Sequence, residues 1–464
     1  MSLCLESIAM VLSVEKSFTA SVENKITPLT LAVYLKYSCD PVIGGIVQDI
    51  FRELAENDSC RQSLEDRLLP TLTSILQSPD KVPLGMPATA LELLEVLVRA
   101  SNGPLSGGMV TKGFPAVVHV TLNTDDNATM QNGGECLRAF ASVGLEQIMV
   151  WHDEQGHNGL YYIIQAISKL LDPKTSEHTA SFVGRLVSVV ISKVGNQLGE
   201  NLDLMLRAVL SKMQQAETLT VIQSLVMVFA QLVNTQIEAV LEFLTSVPDP
   251  MGKPALEFVL REWCSRQHLF FGSYERKVCA VGLSKLLLHA IQSNDTRLQE
   301  INVQGDQIES QSNSIRTRSK TKNTPTQWTT VPVLVKIYKL LINELSNQIE
   351  ENMAKQKDES LSQDDEDEGW GDEEEEDNDE EVALSGQSLS TLIDQMSDDY
   401  LNGLDDGEEE EDPDYKKDPI YQIDLQNYLT EFLQSLSQQP CYASFCAHHT
   451  ESEKCVLRTI NIPV

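Results

Sequence analysis

Two short stretches of this 464-residue chain hold the residue types of metal or acid–base chemistry. Cys441, Cys446, His448 and His449, with Cys455 beyond them, supply the thiolates and imidazoles of a zinc site. Their spacing does not suit one. Structural zinc sites pair cysteines roughly two to four residues apart and repeat the pair. Here four residues separate the first two thiols, and the third lies nine residues further on. His152 and His157, in the run Trp151-His152-Asp153-Glu154-Gln155-Gly156-His157, set imidazoles among carboxylates as a general acid–base would. No nucleophile motif or Gly-rich phosphate loop accompanies them, so the run reads as a polar connection between helices. The chain is read as a binding protein, not an enzyme, with no metal and no cofactor.

The third chemistry is charge. Between Asp358 and Asp414 lie 27 acidic residues and no Lys or Arg, which leaves −7 of the net −34 for the other 407 residues. One block holds Asp364, Asp365, Glu366, Asp367, Glu368, Asp372, Glu373, Glu374, Glu375, Glu376, Asp377, Asp379, Glu380 and Glu381. A second holds Asp398, Asp399, Glu408, Glu409, Glu410 and Glu411. Self-repulsion and low hydrophobicity predict an unfolded, extended segment over 358–416. Such a run acts as a solubilising linker or as a receptor for a basic partner. Two details favour the second reading. Trp370 stands alone among carboxylates in Glu368-Gly369-Trp370-Gly371-Asp372, where an aromatic can anchor an interface while charges cover its surroundings. Leu389, Leu392, Ile393 and Met396 mark one face of a two-turn helix. We therefore take these acidic residues and Trp370 as the candidate partner-binding site. The opposite charge gathers in Arg316, Arg318, Lys320 and Lys322, a pattern of nuclear-localisation or phosphate-binding arms, read here as a solvated loop that pairs loosely with the acidic stretch.

These residues need a scaffold. Hydrophobics make up 41% and aromatics 6%, which suits helices stacked through Leu, Val and Ile. From residue 41 to about 290, amphipathic helices alternate with breaks at Ser78-Pro79-Asp80, Ser101-Asn102-Gly103-Pro104, Asn123-Thr124-Asp125-Asp126, Asp172-Pro173-Lys174 and Pro248-Asp249-Pro250. The second helices of successive pairs centre near residues 49, 92, 139, 186 and 226. That period, with two helices per unit and no strand signal, is the period of HEAT or armadillo arrays. A helix pair cannot bury its own apolar face; stacking pairs does. The expected fold is an all-α HEAT-repeat α-solenoid with an acidic loop near its C-terminal end. Its parts are repeats over 1–292, a polar and basic loop over 293–327, a HEAT helix over 328–357, the acidic loop over 358–416 and C-terminal helices over 417–464. Pro70 is expected to kink a first helix. No run of eighteen apolar residues occurs, so no membrane insertion is expected. A pI near 4.5 argues against direct contact with nucleic-acid phosphates. The nine scattered cysteines read as reduced thiols, mostly core filling.

The run Tyr415-Lys416-Lys417-Asp418-Pro419-Ile420-Tyr421-Gln422-Ile423-Asp424-Leu425-Gln426-Asn427-Tyr428-Leu429 resembles the C-terminal segment of receptors of the karyopherin-β (importin-β) family. Gln327-Trp328-Thr329-Thr330-Val331-Pro332 and Lys253-Pro254-Ala255-Leu256-Glu257-Phe258-Val259-Leu260-Arg261-Glu262-Trp263 carry the same resemblance, which covers essentially the whole chain. It implies a HEAT superhelix that moves basic cargo from cytoplasm to nucleus. The implied cargoes are core histone dimers, ribosomal proteins and actin, with histones shielded as by a chaperone. Arrays of that family are about twice this long, so the resemblance is to the C-terminal half. It places the principal contact with the small GTPase Ran in amino-terminal repeats outside this chain. It also implies contact with nucleoporins, a monomer, and shuttling between cytoplasm and nucleus. The alternative reading of the same array is a structural scaffold or regulatory subunit of a multiprotein complex.

Overall fold

The structure, a computed structural model, describes residues 1–37, 40–101, 103–249, 251–307, 328–364 and 412–463, with 355–364 as backbone. The chain begins with helices α1 (Ser2–Val14), α2 (Lys16–Tyr37), α3 (Pro41–Ala55), α4 (Asp58–Gln77) and α5 (Met86–Arg99). It continues through α6 (Phe114–Asn123), α7 (Asn127–Val150), α8 (Gly159–Leu170), α9 (Glu177–Ala180), α10 (Val183–Val194), α11 (Glu200–Met213) and α12 (Leu219–Ser246). Then come α13 (Ala255–Arg266), α14 (Ser273–Ser293), α15 (Thr296–Gln299) and strands β1 (Asn302–Gln307) and β2 (Trp328–Pro332). The helices α16 (Val333–Asp364), α17 (Leu425–Ser437), α18 (Tyr442–Cys446) and α19 (Glu451–Thr459) follow. Packing divides the chain into two compact units, Met1–Leu341 with Ala443–His448, and Ile342–Tyr442 with His449–Val464.

The first unit is a helix-pair array of the expected kind. Helices α3, α5, α7, α10, α12 and α14 pack in succession as one row, and α2, α4, α6, α8 and α11 as a second. Local chemistry sets the ends of these helices. Asp40 caps α3 by accepting from the amides of Val42 and Ile43, with Pro41 in the first turn. Asp126 caps α7 and Asn158 caps α8. The apolar positions then fall on one stripe: in α3, Ile46, Val47, Ile50, Phe51 and Leu54 are all buried. Each such side chain contributes about 1.5–3 kcal/mol relative to exposure.

Polar bonds hold the register between neighbouring pairs, and they repeat with the array. The Glu23 carboxylate accepts from Ser63, that of Glu65 from Ser106, and that of Glu177 from Thr218, donors 40 or 41 residues ahead. Lys169 closes the end of α6, donating to the carbonyls of Thr121, Leu122 and Thr124 at 3.2, 2.9 and 2.7 Å. Lys212, 3% exposed, does the same for the turn after α8 through Asp172 and Thr175. A cation is favoured at a helix C-terminus, where carbonyls lack intrahelical partners.

Four details differ from the sequence expectation. Helix α4 runs through Pro70 to Gln77; non-helical dihedrals occur instead in α7 at Gly144 and in α12 at Gln236. The polar region after α14 contains β1, paired antiparallel to β2 with Val303 opposite Val331. Its strand character comes from long-range pairing, since Asn302-Val303-Gln304-Gly305-Asp306-Gln307 has weak β-propensity. Helix α16 extends seven residues into the region assigned to the acidic loop, through Asp364, because the good helix formers Ala354, Lys355, Gln356, Lys357 and Glu359 precede any Gly or Pro. Finally, α12 is long and apolar enough to cross a membrane by length and composition, yet 61% of that window is buried among its neighbours.

In the second unit, α17 buries Leu425, Leu429, Leu433 and Leu436. Helix α19 opens on a reciprocal capping box between Thr450 and Glu453 and buries Leu457. Gln434 Nε2 ties the two by donating to the Ile460 carbonyl at 2.9 Å.

Candidate functional site

Among the candidate acidic residues, Asp364 closes α16. The others, from Asp365 to Glu411 and with them Trp370 and the Leu389–Met396 face, lie outside the described residues, as do Arg316, Arg318, Lys320 and Lys322. The structure describes the borders of the segment. Asn352 on α16 donates to Gln426 Oε1 on α17 at 2.5 Å, within the second unit. Past the segment, Asp412 turns the chain by accepting from the Asp414 amide, and Asp424 caps α17. Both described flanks of the carboxylate-rich stretch therefore belong to the same unit.

The connection between α7 and α8 is a hydrogen-bonded corner built on Asp153. Its Oδ1 accepts the amides of Gln155 and His157 at 2.9 and 2.8 Å; its Oδ2 accepts the Tyr162 hydroxyl and faces His157 Nδ1 at 3.3 Å. The Tyr162 bond first, and then those from His157 and Gln155, hold the Asp153 carboxyl down at about 2, while the same carboxylate pushes the Tyr162 phenol up to about 12. A positive φ at Gly156 of 86° closes the turn. His157 stacks on Tyr161 at 4.3 Å between ring centroids, and Trp151 packs edge-on against Phe114. The pair His152 and His157 thus belongs to a rigid corner rather than to an acid–base dyad.

A second cluster joins Glu238 on α12, His289 on α14 and Asp295. Its donor set resembles a cation site, but Arg297 already bonds both carboxylates, Glu238 at 2.8 Å and Asp295 at 2.6 Å. Arg297 is the chief cause of the lowered Asp295 carboxyl. The cluster therefore braces the half of α12 beyond the Gln236 kink against the helix end at Asp295. The C-terminal Cys441 and Cys446 are partly exposed and Cys455 is exposed, and they do not enter this cluster.

Sequence reasoning missed the charged residues along the α5–α7–α10 row. Arg99 pairs with Glu95 at 2.7 Å, Arg138 with Glu135 at 3.0 Å, and Arg185 with Glu275 on α14 at 3.4 Å. Burial raises the Glu135 carboxyl, opposed by Arg138. The recurrence of a Glu-then-Arg pair on two successive row helices, Glu95/Arg99 and Glu135/Arg138, was the available signal.

Glu177 connects this scaffold to pH. Burial acts to raise its carboxyl, but bonds from the Thr218 hydroxyl and the Thr218 and Glu217 amides outweigh it and lower the value below 4.5. A depressed folded value means stability that is present above the ordinary carboxylate value and is lost as pH falls through the folded one. Glu177→Gln is expected to cost about 1 kcal/mol at pH 7 and to lose less stability than the parent between pH 5 and roughly 3. Urea midpoints of both chains across that range test this; parallel pH dependences would contradict it.

The family description "Importin-11-like, TPR repeats" matches residues 57–315. The chain is 36% identical over 459 residues to importin-9 of Drosophila melanogaster, covering 98% of this chain and 43% of that protein. It is 26% identical over 435 residues to importin subunit beta-5 of Schizosaccharomyces pombe, covering 93% and 40%. The chain thus spans less than half the length of these relatives. The fold matches the structure titled "The exportin Cse1 in its cargo-free, cytoplasmic state" with a TM-score of 0.58 at 12% identity, covering all of this chain and 40% of that one. The bonds Ser63–Glu23, Lys212–Asp172 and Lys169–Thr121 span 40–48 residues, a HEAT-length repeat longer than the roughly 34 residues of a TPR unit. With a family match over more than half of its length, laid on an α-solenoid of stacked helix pairs, this chain belongs to the importin-11-like family of the importins.

Proposed function

We propose that the chain is the cargo-binding part of a nuclear import receptor, carrying basic proteins such as core histone dimers and ribosomal proteins, with actin as a further cargo, and shielding their cationic surfaces in transit between cytoplasm and nucleus. The observation that carries the proposal is the run of 27 carboxylates, free of Lys and Arg, held at both flanks by one unit of an importin-family array. Dense charge of one sign raises the encounter rate with a partner of the other and covers cationic surface left open after docking. Binding is non-covalent, without catalysis or cofactor. Contact with Ran rests mainly on repeats outside this chain, nucleoporins are met in transit, and the working form is a monomer.

Titrating labelled core histone dimers with the full chain tests the reading. Saturable binding at about 0.15 M ionic strength that weakens steeply as salt rises is the expected result. No binding under those conditions would overturn it. Recovery from cell extract of one fixed stoichiometric assembly, without histones or ribosomal proteins, would instead support a scaffold or regulatory subunit.

A further inference from the structure

The corner between α7 and α8 presents a partly exposed aromatic surface. Tyr161 is 41% exposed and Val150 77% exposed. The His157 side chain, stacked on Tyr161, is 39% exposed. Glu154, next to Asp153 in the chain, is exposed, as is Glu146 near the end of α7. Between Arg138 and Lys169 the chain contains no Lys or Arg. The groups that bond Asp153 are Tyr162, His157 and Gln155, none of them a Lys or Arg. The corner also receives the C-terminal end of α7, where helix carbonyls carry partial negative charge. Aromatic faces, carboxylates and a helix C-terminus combine here in a segment that carries no Lys or Arg of its own.

A lysine ammonium would satisfy the charge alone. An arginine satisfies more: its planar guanidinium stacks on an aromatic face while pairing with a carboxylate, and its methylenes cover an apolar neighbour. We propose that the α7–α8 corner docks an arginine side chain from an extended basic segment of a partner protein, its guanidinium against Tyr161 and paired with Glu154, its methylenes along Val150. The site is separate from the acidic segment and does not depend on it.

The test uses the full chain and two labelled twelve-residue peptides, one alternating Gly with Arg and one Gly with Lys, followed by fluorescence anisotropy at about 0.15 M salt. Tyr161→Ala is expected to weaken the arginine peptide about three- to thirtyfold and the lysine peptide less. Tyr161→Phe keeps the ring and leaves both affinities unchanged, because the hydroxyl that holds the corner belongs to Tyr162. Glu154→Gln weakens both peptides. Circular dichroism of each variant confirms the fold. The same series in a chain with every Asp and Glu of residues 365–411 changed to its amide separates the two sites: the Tyr161 effect persists there whether or not the acidic segment binds cargo. An arginine-peptide affinity for Tyr161→Ala within twofold of the parent overturns the proposal. So does an equal loss on Tyr161→Phe, or an equal response of the two peptides.

Discussion

Gly184→Ala is expected to open the junction between α10 and α12 and to lower stability by about 3 kcal/mol, whereas Gly45→Ala in α3 raises it by up to about 1 kcal/mol. The two glycines sit in helices of the same row and differ in what a methyl group would meet. At Gly184 a Cβ would lie 1.9 Å from the Ser224 carbonyl oxygen and 2.6 Å from its carbon. Both atoms are backbone, so no rotamer change relieves the overlap and the helices themselves must separate. Separation also breaks the bond from the Gly184 amide to Ser224 Oγ, 3.0 Å long and buried, adding about 1 kcal/mol. These terms exceed the intrinsic helix preference of Ala over Gly, about 1 kcal/mol in the other direction. At Gly45 a Cβ would have nothing within 4 Å, so the propensity gain stands alone. Urea midpoints give the two signs. Because a repeat array need not unfold in one step, hydrogen exchange should localise the damage, with amides of α10 and α12 losing protection first. Unchanged protection in both helices would show that the interface accommodates the methyl group.

The contrast shows what the sequence could and could not disclose. The repeat period was legible because burial of one apolar stripe per helix writes a pattern into the residues themselves, as Ile46, Ile50 and Leu54 do in α3. The breaks were legible because Pro, Gly, Asn and Asp act locally. Close approach was not: Gly184 looks like any helical glycine until α12 is placed beside it. The β1–β2 pair was missed for the same reason. Asp306 gains its role only when Lys339, 3% exposed, reaches it at 2.8 Å. Pro70 was misjudged because packing on both sides keeps the rest of α4 helical, with Leu68, Leu69 and Leu72 buried around it. The α7–α8 corner was legible as residues but not as a surface, since the sequence does not say that His157 stacks on Tyr161 while Tyr162 holds Asp153. The acidic segment is the opposite case. Its charge is a matter of composition and is read from the residues alone, and the structure describes its flanks.

Those flanks reshape the decisive experiment on the proposed function. A deletion beginning at Asp358 would remove the last turns of α16, which run through Asp364, and would confuse a lost helix end with lost charge. Changing each Asp to Asn and each Glu to Gln across 365–411 removes 22 carboxylates, preserves length, and leaves α16, Asp412 and the α17 cap intact. Affinity for core histone dimers is then expected to fall about tenfold to a hundredfold at physiological ionic strength, mainly through the association rate. The dependence of affinity on salt should flatten as well, because the Debye length near 8 Å already screens charges that are not in close contact. A segment that contributed only length would leave both quantities unchanged, and that outcome would remove it from the cargo site. Trp370→Ala in the otherwise native chain separates the remaining contribution. An anchoring aromatic slows dissociation without altering the salt slope, so a loss of affinity confined to the off-rate assigns Trp370 to the interface, and an unchanged off-rate leaves charge as the whole of the segment's effect.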